Sequence, residues 1–327
     1  MRRRQFIAAL GGAAAWPAVA RGQQQSSMLA IGFLDSRSSD EVVSRLRAFR
    51  EGLNETGYIE GENLAIVYRW ADNHLEQLPA LAADLVSRRV AVIVTPGVSG
   101  TLAAKAATTT IPIIFLSAAD PVGAGLVTSY ARPGGNVTGI NFLDSELAAK
   151  RLELLHELLP AATRIAVIVN PAEAIRTETT LHDIEPAAGT MGLQLQILGA
   201  DTNLEIDADF ERVESERPDA VFVATTPFLA ARIVELAQLT AFHRLPSTHS
   251  SREYVEVGGL MSYGSNIADV YRQVGVYTGR VLKGAKPADL PVVQSSKFEL
   301  VINAHTARML GITVPQSLLS RADEVIE

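Results

Sequence analysis

The amino-acid sequence predicts an α/β protein with parallel sheets, arranged in two domains of similar build. From Met28 onward, apolar runs with strand character alternate with helical patterns, and this series occurs twice, before and after a turn at 132–139 (RPGGNVTG). Continuous apolar strands separated by helices are typical of parallel sheets covered on both faces. The turn is dense in residues that permit unusual backbone angles, so we place the change of series there.

The first series contains apolar runs that we predict as strands: MLAIGFLDS, NLAIVYRW, VAVIVT and IPIIFLSA. A helix over 40–57 is predicted between the first two, because apolar residues recur there at helical spacing. These residues are Val42, Leu46, Phe49 and Leu53. Gly57 is expected to end this helix, since glycine readily adopts the left-handed conformation found after helices. Further helices are predicted over 78–88 and 99–108.

The second series repeats this alternation. Its predicted strands are RIAVIVN, LQLQILGA, AVFVATT and GGLMSYG, and its predicted helices cover 145–159, 228–243 and 267–283. Another helical stretch follows Asn170-Pro171 and contains Pro186. Because proline lacks the backbone N–H that an interior helical position needs, we expect a kinked or shortened helix there.

An internal repeat links the two series. The stretch from 91 to 125 aligns with the stretch from 220 to 259: in each, an apolar strand ends in a Thr-Pro loop, and a helix, a Leu/Ile-Pro segment, a polar loop and glycines follow. The alternative is a chance similarity between two βαβ units. If the repeat is real, two like lobes present equivalent loops to one another. Ligands of open parallel sheets bind outside the carboxyl ends of the strands, so the two lobes would form a cleft.

Composition narrows the class of protein. The chain has 327 residues, of which 47% are hydrophobic and 20% charged, which is ample apolar material for two cores. A net charge of -7 argues against a nucleic-acid partner, because no basic face is available for phosphates. The chain contains no cysteine, so disulfides, thiolate metal sites and a lipidated N-terminal Cys are excluded.

The N-terminus has the character of an export signal. Arginines at positions 2–4 precede a short apolar segment that ends in Ala18-Val19-Ala20. The run Arg3-Arg4-Gln5-Phe6-Ile7 resembles the twin-arginine motif, and the alternatives are an ordinary secretory signal or a single anchor. We expect residues 1–20 to be removed after Ala20, leaving a free periplasmic protein.

Motifs for cofactors and catalysis are incomplete. Gly97 and Gly100 are too close for a phosphate-binding loop, and Lys105 lies inside the following helix. The stretch GVSGT approaches the G-x-S-x-G elbow of hydrolases, but Thr101 stands at its fifth position and the six histidines are scattered. No metal motif is present. The expectation is a non-enzymatic protein without cofactor or metal, with a hydrolase that uses Ser99 as the alternative.

Small polar residues follow the predicted strands in both series. Hydroxyls, amides and helix N-termini can bind a carboxylate by N–H donation, and an acidic side chain can receive an ammonium. This combination suits a small zwitterion or polar acid. For each single residue, turn or N-cap chemistry is the alternative explanation.

Several long motifs resemble one family. RLRAFREGLNETGYIEGENLAIVYRWADN, LPALAADLVSRRVAVIVTPG, DPVGAGLV and KFELVINAHTARMLGITVP are similar to segments of ABC transporter substrate-binding proteins whose better-known members bind aromatic amino acids. The resemblance covers essentially the whole mature chain. It implies a type I periplasmic binding protein: two Rossmann-like lobes with parallel sheets joined by a hinge, and a ligand enclosed by hinge closure. A permease and an ATPase are the implied partners.

This family fold implies a division of the chain and a ligand site. The first lobe would take 28–140 and a returning helix at about 266–285, and the second lobe 141–265 and 286–327. The first lobe is expected to bind ligand through Asp35, Ser36, Thr95, Gly97, Ser99, Ser117 and Asp120. The second lobe is expected to contribute Asn141, Phe142, Asn170, Thr225, Thr226, His249 and Tyr263. Loops 95–99 and 117–120 would anchor an anionic group, and Phe142, Phe228 and Tyr263 would flank an apolar part.

The sequence departs from the family pattern at two places. The segment LPSTHSSREY puts His249 near a strand end where the family has an aromatic residue, and Pro186 lies in an expected helix. Both changes put the aromatic amino-acid preference in doubt. Two further alternatives stay open: a receptor that presents its closed form to a membrane histidine kinase, and an α/β enzyme that uses Ser99 or His249. A cytoplasmic repressor of this fold is disfavoured by the export signal.

Overall fold

The computed structural model describes residues 28–142 and 147–327. The predicted export signal, residues 1–20, lies outside the described residues. The described part folds into two β-sheets with helices on their faces. It contains no helix long and apolar enough to cross a membrane.

The first sheet is entirely parallel among the described strands. Its order is β11 (Val293–Gln294), β5 (Val137–Asn141), β4 (Ile113–Ser117), β3 (Ile93–Pro96), β1 (Leu29–Asp35) and β2 (Leu64–Trp70). The second sheet is mainly parallel, with β12 (Phe298–Asn303) antiparallel to β10 (Met261–Ser265). Its order is β13 (Glu324–Ile326), β12 (Phe298–Asn303), β10 (Met261–Ser265), β9 (Ser247–His249), β8 (Ala220–Val223), β6 (Arg164–Val169) and β7 (Gln194–Gly199).

Helices alternate with these strands along the chain. They are α1 (Val43–Glu55), α2 (Leu78–Ser87), α3 (Val98–Ala107), α4 (Ala148–Leu158), α5 (Ala174–Met191), α6 (Asn203–Glu216), α7 (Pro227–Ala230), α8 (Ile233–Phe242), α9 (Arg252–Glu256), α10 (Ile267–Leu282), α11 (Ala304–Met309) and α12 (Gln316–Leu319). The predicted α/β class with two mainly parallel sheets is confirmed. The start of the helix predicted over 145–159 lies partly outside the described residues.

The internal repeat is visible in the strand order. The run β5-β4-β3-β1-β2 of the first sheet corresponds position by position to β10-β9-β8-β6-β7 of the second. Strand β8 therefore occupies the place in its sheet that β3 occupies in the other. The two aligned sequence stretches thus supply equivalent strands and equivalent loops.

The predicted lobe boundaries differ from the sheet composition in two places. We call the first sheet with its helices the first lobe (28–142 and 266–294) and the second sheet with its helices the second lobe (147–265 and 295–327). Asn141 pairs with Ser117 in the first sheet, so its predicted assignment to the second lobe is wrong. Residues 286–294 also stay with the first lobe, because β11 hydrogen-bonds to β5.

Two helix predictions also need correction. Helix α5 continues past Pro186 to Met191, so the expectation of a helix shortened at this proline is wrong. The carbonyl that loses its helical donor there belongs to His182, an exposed residue, so water can satisfy it. The helix predicted over 228–243 is divided into α7 and α8. At the break, Arg232 adopts non-helical angles while its guanidinium bonds to Asn203 and lies over the Phe228 ring.

Helix α10 belongs to the first lobe because it packs tightly on α1. The predicted apolar face of α1 is buried, and Phe49 and Leu53 share a core with Val274 of α10. Two glycines permit the close approach. A Cβ on Gly52 would lie 1.9 Å from the carbonyl oxygen of Arg272, and one on Gly275 would lie 2.2 Å from that of Phe49.

We expect Gly52→Ala to lower the free energy of unfolding by about 2–3 kcal/mol, because the added methyl group collides with helix backbone. Gly189→Ala, in α5, is the matched control, since a Cβ there meets nothing within 4 Å. The control should raise stability by about 0.5–1 kcal/mol through helix propensity. Urea unfolding measures both changes, and equal stability of the two variants would contradict the packing described.

Candidate ligand-binding cleft

The carboxyl ends of the strands in the two sheets face one another. Arg45 lies in the first turn of α1, the helix that follows β1, and Glu253 lies in α9, which follows β9. The Arg45 Nη2 is 3.3 Å from Glu253 Oε1. Because both helices begin beyond the carboxyl ends of their strands, this contact shows that the strand-end edges of the two sheets face each other. We call the region between these edges the cleft.

The loop after β1 holds a buried carboxylate that is already neutralised. Asp35 is fully buried, and its Oδ1 accepts hydrogen bonds from the backbone N and Nε of Arg37, each at 3.0 Å. Arg37 Nη2 donates to Asp35 Oδ2 at 2.8 Å and to the Tyr271 hydroxyl at 2.6 Å. Burial works against the charge of Arg37, but Tyr271 and Asp35 outweigh it and raise the pKa of the guanidinium. Asp35 is thus occupied by the chain's own cation, and half-buried Ser36 lies beside it.

The loop after β3 leads directly into α3. The hydroxyl of Thr101 donates to the Gly97 carbonyl at 2.7 Å. Because that hydroxyl proton is used there, the 2.9 Å hydrogen bond between the two threonine hydroxyls is donated by buried Thr95. Gly97 is the N-cap residue, with φ of 96°, a conformation that favours glycine. It offers no side chain to cap the helix, and Ser99 is exposed in the first turn. The first-turn N–H groups of α3 are therefore open to a ligand at the cleft edge.

The loop after β4 is held together by side chains predicted to bind ligand. Asn141 Nδ2 donates to the carbonyls of Ser117 and Ala119, both at 2.8 Å. The Ser117 hydroxyl accepts the N–H of Ala119 at 3.0 Å. Asp120 accepts two backbone N–H groups of the next turn, at 3.1 and 2.8 Å. These side chains give the loop its shape, as the N-cap and turn alternative anticipates.

Turn chemistry also engages part of the second-lobe set. Asn170 Oδ1 accepts the N–H of Ala172 at 2.9 Å, and Thr226 Oγ1 accepts that of Leu229 at 3.3 Å. Both side chains cap the turn that follows their strand. Half-buried Thr225 differs, because its hydroxyl accepts a hydrogen bond from a side chain elsewhere in the fold.

That donor is Arg151, a fully buried residue of α4. Its Nη1 donates to Thr225 Oγ1 and its Nη2 to the Val223 carbonyl, each at 3.1 Å. Its guanidinium carbon lies 4.3 Å from the centre of the Phe222 ring. A positive charge is thus fixed at the carboxyl end of β8, inside the second lobe.

His249 is neutral and fully buried at the end of β9. Its Nδ1 accepts the N–H of Ser251 at 2.9 Å, so the ring proton is assigned to Nε2. Burial, assisted by the charge of Arg151, lowers the pKa of His249 to about 3. Within the described residues, Nε2 has no hydrogen-bond partner, and it is buried too deeply to reach a ligand in the cleft in this arrangement of the lobes.

The three predicted aromatic residues have different local surroundings. Phe142 is half-buried against the core of the first lobe. Phe228 lies under Arg232, whose guanidinium carbon is 3.6 Å from the ring centre. Tyr263 lines a surface groove of about 420 Å³ between α4 and the β10–β12 pair. That these three side chains flank an apolar part of one ligand stays a prediction.

Metal binding gains no support from the described residues. Within 28–142 and 147–327, no group of three or more His, Cys, Asp or Glu side chains could hold a metal ion. The side chains present are suited to hydrogen bonding and charge pairing.

Sequence reasoning missed several charged and phenolic groups of this cleft. They are Arg37, Arg45, Arg151, Glu253 and Tyr271. A local signal existed for Arg37, which follows Asp35 by two residues at a strand end. No local signal joins Tyr271 to Arg37, because 234 positions separate them.

Two lobes of matched strand order, with polar loops facing across a cleft, define a two-lobed solute-binding protein. More specifically, the chain belongs to the family of ABC transporter substrate-binding proteins, whose sequence model matches residues 31–326.

Relatives of known description are similar over most of the chain. The tyrosine-binding protein of Clostridioides difficile is 28% identical over 266 residues, which are 81% of this chain and 76% of the relative. The crystal structure of an ABC domain in complex with L-Trp from Streptococcus pneumonia has a TM-score of 0.78 and 28% identity, and covers 92% of this chain and 100% of its own. A conserved domain protein from Vibrio cholerae has a TM-score of 0.77 and 27% identity, with 91% and 99% covered.

The buried neutral His249 should make stability depend on pH. Its pKa falls from 6.5 to about 3 on folding. Between pH 6.5 and pH 3, His249 is therefore mostly protonated in the unfolded chain and neutral in the folded protein. The free energy of unfolding is therefore expected to fall as the pH drops below about 6.5, with a contribution from His249 of at most about 1.4 kcal/mol per pH unit.

Urea unfolding between pH 7 and 4 measures this slope. His249→Asn should reduce it, because asparagine can accept the Ser251 N–H without titrating. His74→Asn, at an exposed histidine, is the control and should keep the wild-type slope. A slope unchanged in His249→Asn would show that His249 is not the residue responsible.

Proposed function

We propose that this protein is the exported substrate-binding component of an ABC transporter, which captures an amino acid or small carboxylate between its lobes and delivers it to the permease. The observation that carries the proposal is the family match over residues 31–326, on a fold whose strand-end loops face one another across a cleft. In this reading residues 1–20 direct export, twin-arginine motif included, and the protein works in the periplasm.

The proposed mechanism is reversible binding. The open first turn of α3 and the Ser99 hydroxyl receive a carboxylate, since uncapped N–H groups and the helix dipole favour an anion. The second lobe contributes the hydroxyl of half-buried Thr225. A ligand that contacts both lobes stabilises the closed arrangement, and the closed form is what the permease would recognise. The Nδ1 of His249 accepts a hydrogen bond from the Ser251 N–H, so that nitrogen is not available as a general base for Ser99.

Two relatives direct the choice of first ligands. One is named a tyrosine-binding protein and another was crystallised with L-Trp, so aromatic amino acids are the first ligands to test. The polar groups of Arg37 and Thr225 add small polar amino acids and carboxylates to the ligands to be tested.

A thermal-shift panel tests the proposal. Ligands would include L-tyrosine, L-tryptophan, polar amino acids, aromatic acids and small dicarboxylates. A ligand at 100 times its Kd should stabilise the folded form by about 2.7 kcal/mol and raise Tm. Calorimetric titration then gives Kd. Failure of every class on the panel to raise Tm, with protein shown to be folded, would contradict the proposed ligand chemistry.

Ser99→Ala separates binding from catalysis. Loss of one hydrogen bond to the ligand should weaken binding about fivefold, near 1 kcal/mol, without altering the ligand chemically. Ser87→Ala is the matched control, because Ser87 lies at the carboxyl end of α2, at the opposite edge of the sheet. Turnover of ester or amide substrates by the wild type that Ser99→Ala abolishes would favour the hydrolase instead.

A further inference from the structure

The contact between Arg45 and Glu253 joins the two lobes directly across the cleft. Arg45 belongs to the first lobe through α1, and Glu253 belongs to the second through α9. Their side chains are 26% and 38% exposed. Other ion pairs between described side chains join residues of one lobe, for example Arg88 with Asp84 or Arg252 with Glu324.

Each end of this contact is held by its own lobe. The hydroxyl of Ser251 donates to Glu253 Oε2, which leaves Oε1 for Arg45. Burial alone would raise the pKa of Glu253, but Arg45 and Ser251 outweigh it and lower that pKa, so the carboxylate stays charged. Arg45 extends from α1, which the glycine contacts fasten to α10. Neither lobe can move away from the other along this line without separating the two charges.

We propose that Arg45 and Glu253 form an electrostatic latch, which favours the closed arrangement of the lobes and slows release of a bound solute. The part concerning solute release rests on the proposed function, whereas the part concerning the lobes does not. The latch makes Arg45 and Glu253 positioning residues: they act on the ligand through the distance between the lobes.

The expected effect of the latch on the equilibrium between closed and open protein follows from the solvent exposure of the Arg45–Glu253 pair. Partly exposed ion pairs shift an equilibrium by about 1.5- to 5-fold, and salt screens them. Removing either charge should therefore reduce the ratio of closed to open protein by about that factor. The apparent affinity for a solute that requires closure falls by a similar factor once the open form predominates, because affinity scales with the fraction of competent protein.

The natural absence of cysteine allows a clean distance measurement. Leu75→Cys and Leu204→Cys place spin labels at exposed positions, 53% and 81% exposed, in the segments that follow the equivalent edge strands β2 and β7. Pulsed electron spin resonance on ligand-free full chain then reports the distribution of inter-lobe distances. The background for all variants is this labelled protein.

We expect Arg45→Ala and Glu253→Ala each to shift the distribution toward longer distances, and the exchange Arg45→Glu with Glu253→Arg to restore it. Raising the salt to about 1 M, where screening acts within about 3 Å, should move the wild type in the same direction as the single variants. Arg88→Ala, which breaks the ion pair with Asp84 inside the first lobe, is the control and should leave the distribution unchanged.

A second readout is the dissociation rate of L-tryptophan or L-tyrosine, used as probes. The single variants should release the bound probe about 1.5- to 5-fold faster, and the exchanged pair at the wild-type rate. Distance distributions of both single variants that match the wild type would overturn the latch. Unchanged distances with complete loss of probe binding would also overturn it, since the pair would then contact the ligand itself. Because the distance measurement uses no ligand, failure of both probes to bind affects the proposed function and leaves the test of the latch intact.

Discussion

Parallel strands all end at the same edge of their sheet, and the cleft depends on this constraint. Every loop of interest follows such an end: those after β1, β3 and β4 in the first lobe, and those after β6, β8 and β9 in the second. When the two edges face one another, the start of α1 meets the start of α9. The matched strand order of the lobes means that this surface is built twice from one plan, with different side chains on each side.

Buried charged side chains form hydrogen bonds with groups of their own lobe in the absence of a ligand. Burying an unpaired carboxylate or guanidinium is costly, so Asp35 is surrounded by N–H donors of Arg37, and Arg151 donates to groups at the end of β8. This internal pairing explains why residues that the sequence predicts as ligand contacts instead stabilise the fold. Under the proposed function, the groups that remain for a solute are the open turn of α3 and the hydroxyls of Ser99 and Thr225.

Local patterns explain which expectations succeeded. The predicted runs that form β1, β3 and β4 are buried strands because continuous apolar sequence needs cover on both faces, whereas β2, at the edge of the sheet, is mostly half-buried. Asn170 and Thr226 show the limit of the same method, since a polar residue after a strand predicts a cap and a ligand contact equally well. Pro186 shows another limit. The His182 carbonyl that loses its N–H partner is exposed to water, whereas the same loss in the protein core would leave a buried carbonyl without a hydrogen bond.

By itself, the sequence determined the alternation of strands and helices, the duplicated lobe and the family, because each is written in short-range periodicity or in long contiguous motifs. Only the tertiary structure decided that β11 and Asn141 join the first sheet, that Tyr271 meets Arg37, and that Arg45 meets Glu253. The last two contacts join residues 234 and 208 positions apart. Such partners are chosen by the packing of whole elements, and the residues near either one in the chain carry no trace of the other.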